Sequence, residues 1–309
     1  MAEADVRFHF ASAPVSWGVG DSPDAAWEQP YERVLDEIAA AGYSGTELGP
    51  YGYLPPDPQL LSPLLAARRL TLLSSFVPVP LSNPAAAHAV REQVGKVGAL
   101  LAALGARLLV LADAQSPERV KLAGRVPVDG SRSLNSEQWR QVGKLVGEIE
   151  RAAQAYGLGL VFHPHVATYV ETPSEVERLF EALTSTGVGL CLDTGHCVYG
   201  GGDPLDEARK YRSLLRYIHI KDVNASVLGE ARAQALDFGQ AVAAGVFSPV
   251  GQGCICFSEF FRWLKAENYA GWFVVEQDVK YGKTTVPPLE SMRRSLRYLK
   301  GIMNDEYDE

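Results

Sequence analysis

The chain has 309 residues, 47% of them apolar, and a formal net charge of −8 from 29 basic and 37 acidic side chains. That much apolar material can bury a large core, and a barrel of roughly 250 residues or more runs as one domain, so a single domain over 1–309 is expected. The acidic balance, with no basic stripe, excludes nucleic acid as the natural partner and leaves small molecules as the expected ligands.

The start, MAEADVRFHF, lacks the basic region and apolar core of a secretory signal, so no export is implied. Four cysteines are too few for a disulfide framework in a chain this long, and a reducing cytoplasm fits them. Cys254 and Cys256 are one residue apart, not the spacing of a zinc ribbon, and read as incidental thiols beside a loop.

In chain order, apolar runs alternate with helical periodicity. Strands are expected at 8–13, 45–49, 71–77, 107–112, 158–163, 188–193, 215–220 and 272–276. After the first, YERVLDEIAAAG from Tyr31 to Gly42 places Val34, Leu35, Ile38, Ala39 and Ala41 on one helical face and ends at a glycine suited to a C-terminal cap. Asn83-Pro84 and Thr172-Pro173 open two further helices, with proline where its missing N–H costs nothing. The most apolar stretch, Val97 to Ala112, reads as a helix end, a stop at Gly105 and a buried strand. Broken by Arg107, it falls short of the roughly 18 residues a membrane span needs, so no membrane partner is expected. The longest helix, about Ser136 to Tyr156, carries Val142, Leu145, Val146, Ile149 and Ala152 at helical spacing and stops at Gly157. Strand then helix, repeated eight times, gives an α/β fold, a closed (β/α)₈ TIM barrel.

Two segments break the repeat, at about 113–135 and 223–256, and both follow strands on the catalytic side. Connections of this length are functional lids or mobile loops. Arg119, Lys121, Arg125 and Arg132 in the first either close over an anionic or polyhydroxyl ligand or form a solvated basic loop. NDEYDE at the end reads as a frayed tail.

Chemistry gathers where the later strands end. His163 and His165 close LGLVFHPH, Asp193 closes VGLCLD, His219 closes LRYIH and Glu276 closes GWFVVE. Val161 with His163 and His165, Cys191 with Asp193, Tyr217 with His219 and Lys221, and Val274 with Glu276 share strand parity, so these groups face one mouth. Mixed imidazole and carboxylate donors suit a borderline divalent cation better than an all-oxygen magnesium cage, and manganese or cobalt is favoured. Asp193, His219 and Glu276 are the expected ligands, with His163 as the fourth and His165 as its rival. Beside them, His196 is expected to contact substrate oxygens or buttress its turn. Lys221 polarises a carbonyl, acts as base or pairs with a carboxylate. Glu47 on strand two is a second carboxylate, as proton shuttle, hydroxyl binder or loop anchor. Trp17 and Tyr51 either floor a sugar or cyclitol ring or pack under loops. Glu171 reaches the ligand or opens a helix. Tyr199 to Pro204 is a flexible turn, and no phosphate cradle is visible, which favours an unphosphorylated substrate.

The stretches APVSWG (13–18), DEIAAAGYSGTELGPYGYLP (36–55), FHPHVATYVET (162–172), GLCLDTGHCVYGGGDP (189–204), IHIKDV (218–223), PVGQGCICF (249–257) and GWFVVEQD (271–278) carry a resemblance over nearly the whole chain. It resembles the xylose isomerase-like barrel superfamily of sugar phosphate isomerases and epimerases, and within it the inosose dehydratase (2-keto-myo-inositol dehydratase) group. The resemblance implies a metal held by residues of strands five to eight. In the superfamily's sugar epimerases the strand-five and strand-eight ligands are both glutamates that act as acid and base, and here His163 stands where the first would be. That departure weakens epimerisation, which two carboxylates serve well. It leaves dehydration next to a ketone, which needs a Lewis acid for the enolate, one base and one acid, with Glu276, His165, His196 and Lys221 to supply them. The expected function is a cytoplasmic, metal-dependent lyase acting on a keto-cyclitol of inositol catabolism. A metal-dependent isomerase or epimerase of a ketose is the alternative, and an inactive binding barrel is the third class. Barrels of this kind pair, so a homodimer or homotetramer is expected.

Overall fold

A computed structural model describes residues 8–20 and 27–304. The signal reading of MAEADVR and the tail reading beyond Asn304 lie outside the described residues.

The barrel strands are β1 (His9–Ser12), β2 (Gly45–Thr46), β3 in two segments (Thr71–Leu72 and Phe76–Val79), β4 (Leu108–Asp113), β5 (Gly159–Phe162), β6 (Gly189–Asp193), β7 (Leu215–Ile220) and β8 (Trp272–Val275). All neighbouring pairs run parallel, β1 pairing with both β2 and β8. The first segment of β3 pairs with β2 and the second with β4, so the sheet closes on itself through β3. This is the expected (β/α)₈ barrel. The strands are short because side chains inside a barrel this narrow fill it in only a few layers.

The outer helices form as their periodicity dictates. Tyr31–Ala41 buries Val34, Leu35 and Ile38 and ends at Gly42, in the left-handed region at φ 100°. Ser136–Gln154 buries Val142, Leu145, Val146 and Ile149, and Asn135 with Gln138 forms a capping box at its start. Thr172 and Glu175 do the same for Pro173–Ala182. At Asn83-Pro84 the outcome differs in detail: a 3₁₀ turn, Pro84–Ala86, precedes the helix Ala87–Ala103. Among the described residues no helix is long and apolar enough to cross a membrane.

The two long connections carry secondary structure and pack against each other. The second holds helices Ala225–Ala233 and Phe238–Ala243 and a strand, Phe247–Ser248, paired antiparallel with Asp222–Val223. Its Leu228, Ala231, Phe238, Ala241, Val246 and Phe247 form a satellite core with Ala123 of the first connection and with Val166, Ala167 and Tyr199. Asp222 secures the far end: its carboxylate accepts from the backbone N–H groups of Gly251 and Gly253 at 2.9 Å and of Ile255 at 3.2 Å. Position 253 has to be glycine for this, since a Cβ there would lie 2.2 Å from Asp222 Oδ1.

The basic residues of the first connection do not gather over a ligand. Arg119 is fully buried and its guanidinium donates to both Glu175 carboxylate oxygens, at 2.9 and 2.8 Å. Arg125 donates to the carbonyls of Ala231 and Leu236, tying one connection to the other. Arg132 pairs with Glu118 on the surface. A planar guanidinium with five donors serves as a strut as readily as a ligand clamp, and here the carboxylate and carbonyls were nearer than any mouth.

Candidate active site

Strand alternation does most of the placing. Val161, Cys191, Tyr217 and Val274 point inward as part of an apolar layer with Ala11, Ala13, Leu73 and Val110. Two residues further along the same strands come His163, Asp193, His219 and Glu276, all buried at the carboxyl mouth. A register shift between Leu190 and Cys191 brings Asp193 level with His219 on β7. A bulge of this kind re-aims a strand end.

The four groups meet. His163 Nε2 is 3.5 Å from Asp193 Oδ2, and His219 Nδ1 is 3.9 Å from the same oxygen and 3.2 Å from Glu276 Oε2. The donors form overlapping triads, each within 4.8 Å, including His163–Asp193–His196 and Glu47–His219–Glu276, so the expected quartet is spread over linked groups and not closed into one.

Glu47 lies against His219. Its Oε1 accepts from Ser74 Oγ at 2.7 Å and lies 3.0 Å from His219 Nε2. A carboxylate oxygen only accepts, so Nε2 carries a proton toward Glu47, and Nδ1, which faces the Asp193 and Glu276 carboxylates, is the nitrogen that would take a cation. Tyr217 Oη, 3.0 Å from Ser74 Oγ, extends the chain downward. A carboxylate that orients an imidazole in this way is the usual support of a metal-bound histidine. His219 Nδ1 and Asp193 Oδ2 are both buried and lack a hydrogen-bond partner, although ion-pair distances surround them. Unpartnered buried atoms, an imidazole held from behind by a carboxylate and a mixed N and O donor set fit a divalent cation.

Lys221, two residues past His219, is also buried. Its Nζ is 2.7 Å from Asp278 Oδ1, 3.2 Å from Asp193 Oδ2 and 3.3 Å from Glu276 Oε2. Burial opposes its charge, but Asp193, Asp278 and Glu276 outweigh burial and raise it well above the ordinary lysine value. Its partners here are those of an ammonium, which is the carboxylate pairing that the sequence allows. The same ions act in return: burial would raise Glu276, but His219 and Lys221 bring it down to about 2. Asp193 is likewise held well below its ordinary range, burial being overcome chiefly by the Lys221 ammonium.

Burial disfavours the charged form of His165 and of His196. His165, half-buried at the mouth, is lowered to about 3 by burial and by His163 and Lys221. Its Nδ1 lies 2.6 Å from the Val166 carbonyl, which fixes the proton on Nδ1 and frees Nε2 as an acceptor. His196 stacks on it with ring centroids 3.8 Å apart, and Lys221 donates to His196 Nε2 at 3.0 Å. Phe238 and Phe247 of the second connection close over these rings, at 5.7 Å from His165 and 5.5 Å from His196.

Trp17 and Tyr51 stand apart from this cluster. Trp17 is buried in the main core and its indole donates to Glu37 on the first helix at 2.7 Å, away from the mouth. Tyr51 is 39% exposed and, among the described residues, makes none of the mouth's hydrogen bonds or ring contacts. Sharing a turn with a strand end does not set a ring's direction. Glu171 is a latch: its carboxylate accepts from Gly124 N at 2.7 Å and Ala167 N at 2.8 Å, and burial raises it to about 7. Asp278 went unnoticed in the sequence, yet the parity that selects Lys221 after His219 selects Asp278 after Glu276.

A profile of the xylose isomerase-like TIM barrel family matches residues 35–302. An inosose dehydratase of Bacillus anthracis (strain CDC 684 / NRRL 3495) is 32% identical over 270 residues, 86% of this chain and 88% of its own. One from Clostridium beijerinckii is 29% identical over 290 residues, 93% of this chain and 94% of its own. Among solved structures, the IOLI protein with a bound zinc atom superposes with a TM-score of 0.67 at 14% identity, covering 96% of this chain and 98% of that one, a likeness of fold. With strands, mouth and sequence in agreement, the chain belongs to the xylose isomerase-like TIM barrel family.

Proposed function

We propose that the protein is a metal-dependent hydro-lyase that removes water from a keto-cyclitol such as 2-keto-myo-inositol through an enolate. The observation that carries this reading is one mouth holding a cation-ready donor set, an ammonium and a half-exposed neutral imidazole, in a chain 32% identical to an inosose dehydratase over most of its length. His163, Asp193, His219 and Glu276 would hold the ion, with manganese or cobalt favoured by the donor types. When bound, it supplies Lewis-acid stabilisation of negative charge on the substrate's carbonyl oxygen.

The chain's own groups do the rest. Glu47 keeps His219 in the tautomer that leaves Nδ1 free. His165 Nε2, with its lone pair facing the mouth, accepts the proton from the carbon next to the ketone. Lys221, hydrogen-bonded to His196 Nε2, would donate toward the departing β-hydroxyl, which leaves as water as the carbon–carbon double bond forms. An acid and a base whose surroundings drive their proton affinities apart can act together at one pH. Phe238 and Phe247 exclude bulk water from the enolate.

The test is incubation of the metal-reconstituted protein with a panel of inososes and ketoses, followed by ultraviolet absorbance and by mass. Dehydration creates an absorbing enol-dione and lowers the mass by one water. Conversion to an isomer of unchanged mass would replace this reading with epimerisation, and no conversion of any panel member would leave a binding barrel.

A further inference from the structure

Lys221 is surrounded as a metal ion would be. Around its Nζ stand Asp278 Oδ1 at 2.7 Å, His196 Nε2 at 3.0 Å, Asp193 Oδ2 at 3.2 Å and Glu276 Oε2 at 3.3 Å. Three carboxylate oxygens and one imidazole nitrogen are the donors of a borderline divalent cation, not the usual shell of a single lysine. His196 and Asp278, with His165, also form one of the donor triads of the mouth.

The lysine's position is built into the fold. Thr194 Oγ1 donates to the Lys221 carbonyl at 2.7 Å and accepts from its N–H at 2.9 Å, fixing the backbone. Residue 195 is a glycine past which the aliphatic stem runs: a Cβ there would lie 2.7 Å from Lys221 Cγ and 2.8 Å from its Cβ. The Phe247 ring faces Nζ at 5.2 Å and closes the remaining side. Side chains from β6, β7, β8 and the second connection are thus shaped around one ammonium.

We propose that the Lys221 ammonium is a built-in occupant of a second cation position, and that it limits the mouth to one divalent ion. The inference rests on the metal reading of the first position and deepens it. Formal charge supports it. Glu47, Asp193, Glu276 and Asp278 bring four negative charges into a buried space. One divalent ion and the ammonium leave a single negative charge. Without the lysine, one divalent ion leaves two, a buried deficit that is costly unless a second cation enters. The ammonium also has a use that a second metal lacks, because it carries protons that can be given to a leaving group.

The experiment compares wild-type protein with Lys221→Ala and Lys221→Gln, the second retaining a similar length in case the first fails to fold. Each is loaded with Mn²⁺, freed of loose metal, and measured for manganese per chain and by electron paramagnetic resonance. The expected result is one more ion per chain in the variants than in the wild type, with a spectrum broadened by coupling between neighbouring ions. Equal manganese in folded wild type and both folded variants overturns the proposal, as does a wild type that already binds two. If the wild type holds none and the variants hold one, the built-in cation stands while the metal reading of the wild type falls. If all three hold one, the metal reading stands and the built-in cation falls.

Discussion

Val161, Cys191, Tyr217 and Val274 lie one inward-facing step below His163, Asp193, His219 and Glu276, on the same strands and inside the same barrel. The lower layer is apolar and dense, whereas the upper layer holds three imidazoles counting His196, an ammonium and several carboxylates, nearly all as buried as the valines beneath them. Burial is therefore not what separates them. The lower layer gains from leaving water, and its stability follows the area it buries. The upper layer loses hydration on burial and persists only because each charge meets an opposite one in a medium of low dielectric. One layer supplies rigidity, and the other is held at a cost that the rigidity covers. Function belongs to the layer that would gain stability by being simplified.

The comparison can be broken from either side. The largest expected effect is at Glu276: Glu276→Gln should lower turnover of a keto-cyclitol by about 10²–10⁴-fold, the range for loss of an acid, base or charged ligand. Its circular dichroism should still be that of the folded barrel, and full activity would remove Glu276 from the mechanism. Next comes Glu47→Gln, which leaves every mouth-facing group in place and removes only the carboxylate behind His219. Metal affinity or turnover should fall by about 10–100-fold, measured by metal titration. An unchanged affinity would mean that the tautomer of His219 is set by something else.

From the lower layer, Val110→Ala should cost about 2 kcal/mol of unfolding free energy in denaturant titration, from two lost methyl groups and the cavity left behind. Its kcat should be unchanged, since Val110 lies on β4, which carries none of the metal donors. A large loss of activity there would mean that the two layers are not separable.

The smallest effect sharpens the role of ion pairing. Glu171 is as buried as Asp193 but has only Arg119, at 4.0 Å, for a counter-ion, and burial raises it to about 7 from its ordinary 4.5. The folded chain therefore binds this proton more tightly than the unfolded chain does. Stability from this group is fully present below about pH 4.5 and declines as pH rises to about 7. In Glu171→Gln that slope should vanish, read as a smaller difference in unfolding free energy between pH 5 and pH 7.5. An identical slope in both proteins would assign the pH dependence elsewhere, with Asp113, raised to about 6 by burial, the next group to test.

Much of this was legible in the residues. All eight strands fell where short apolar runs stand, within a residue or two except at β2 and β3, because a strand buried on both faces has to be apolar throughout. β2 is only Gly45–Thr46, and β3 is split by Ser74 and Ser75, whose hydroxyls turn to Glu47 and Gly49. Parity alone put His163, Asp193, His219, Lys221 and Glu276 at one mouth, since alternation leaves no freedom once the apolar side is known. What the sequence leaves open has one cause. The element on which Trp17, Arg119 and Glu47 stand does not reveal their partners, Glu37, Glu175 and His219, which are 20, 56 and 172 residues away.

The linear order of residues thus determined the periodicities, the barrel and the inward face of each strand, because these follow from local backbone geometry and from the need to bury apolar side chains. Only the closed tertiary structure decided which polar groups meet. Hydrogen bonds and ion pairs depend on ångström distances between atoms that the chain holds far apart in sequence. That is why Glu47 supports an imidazole, Arg119 braces a helix, and Lys221 stands among four donors that no run of neighbouring residues announces.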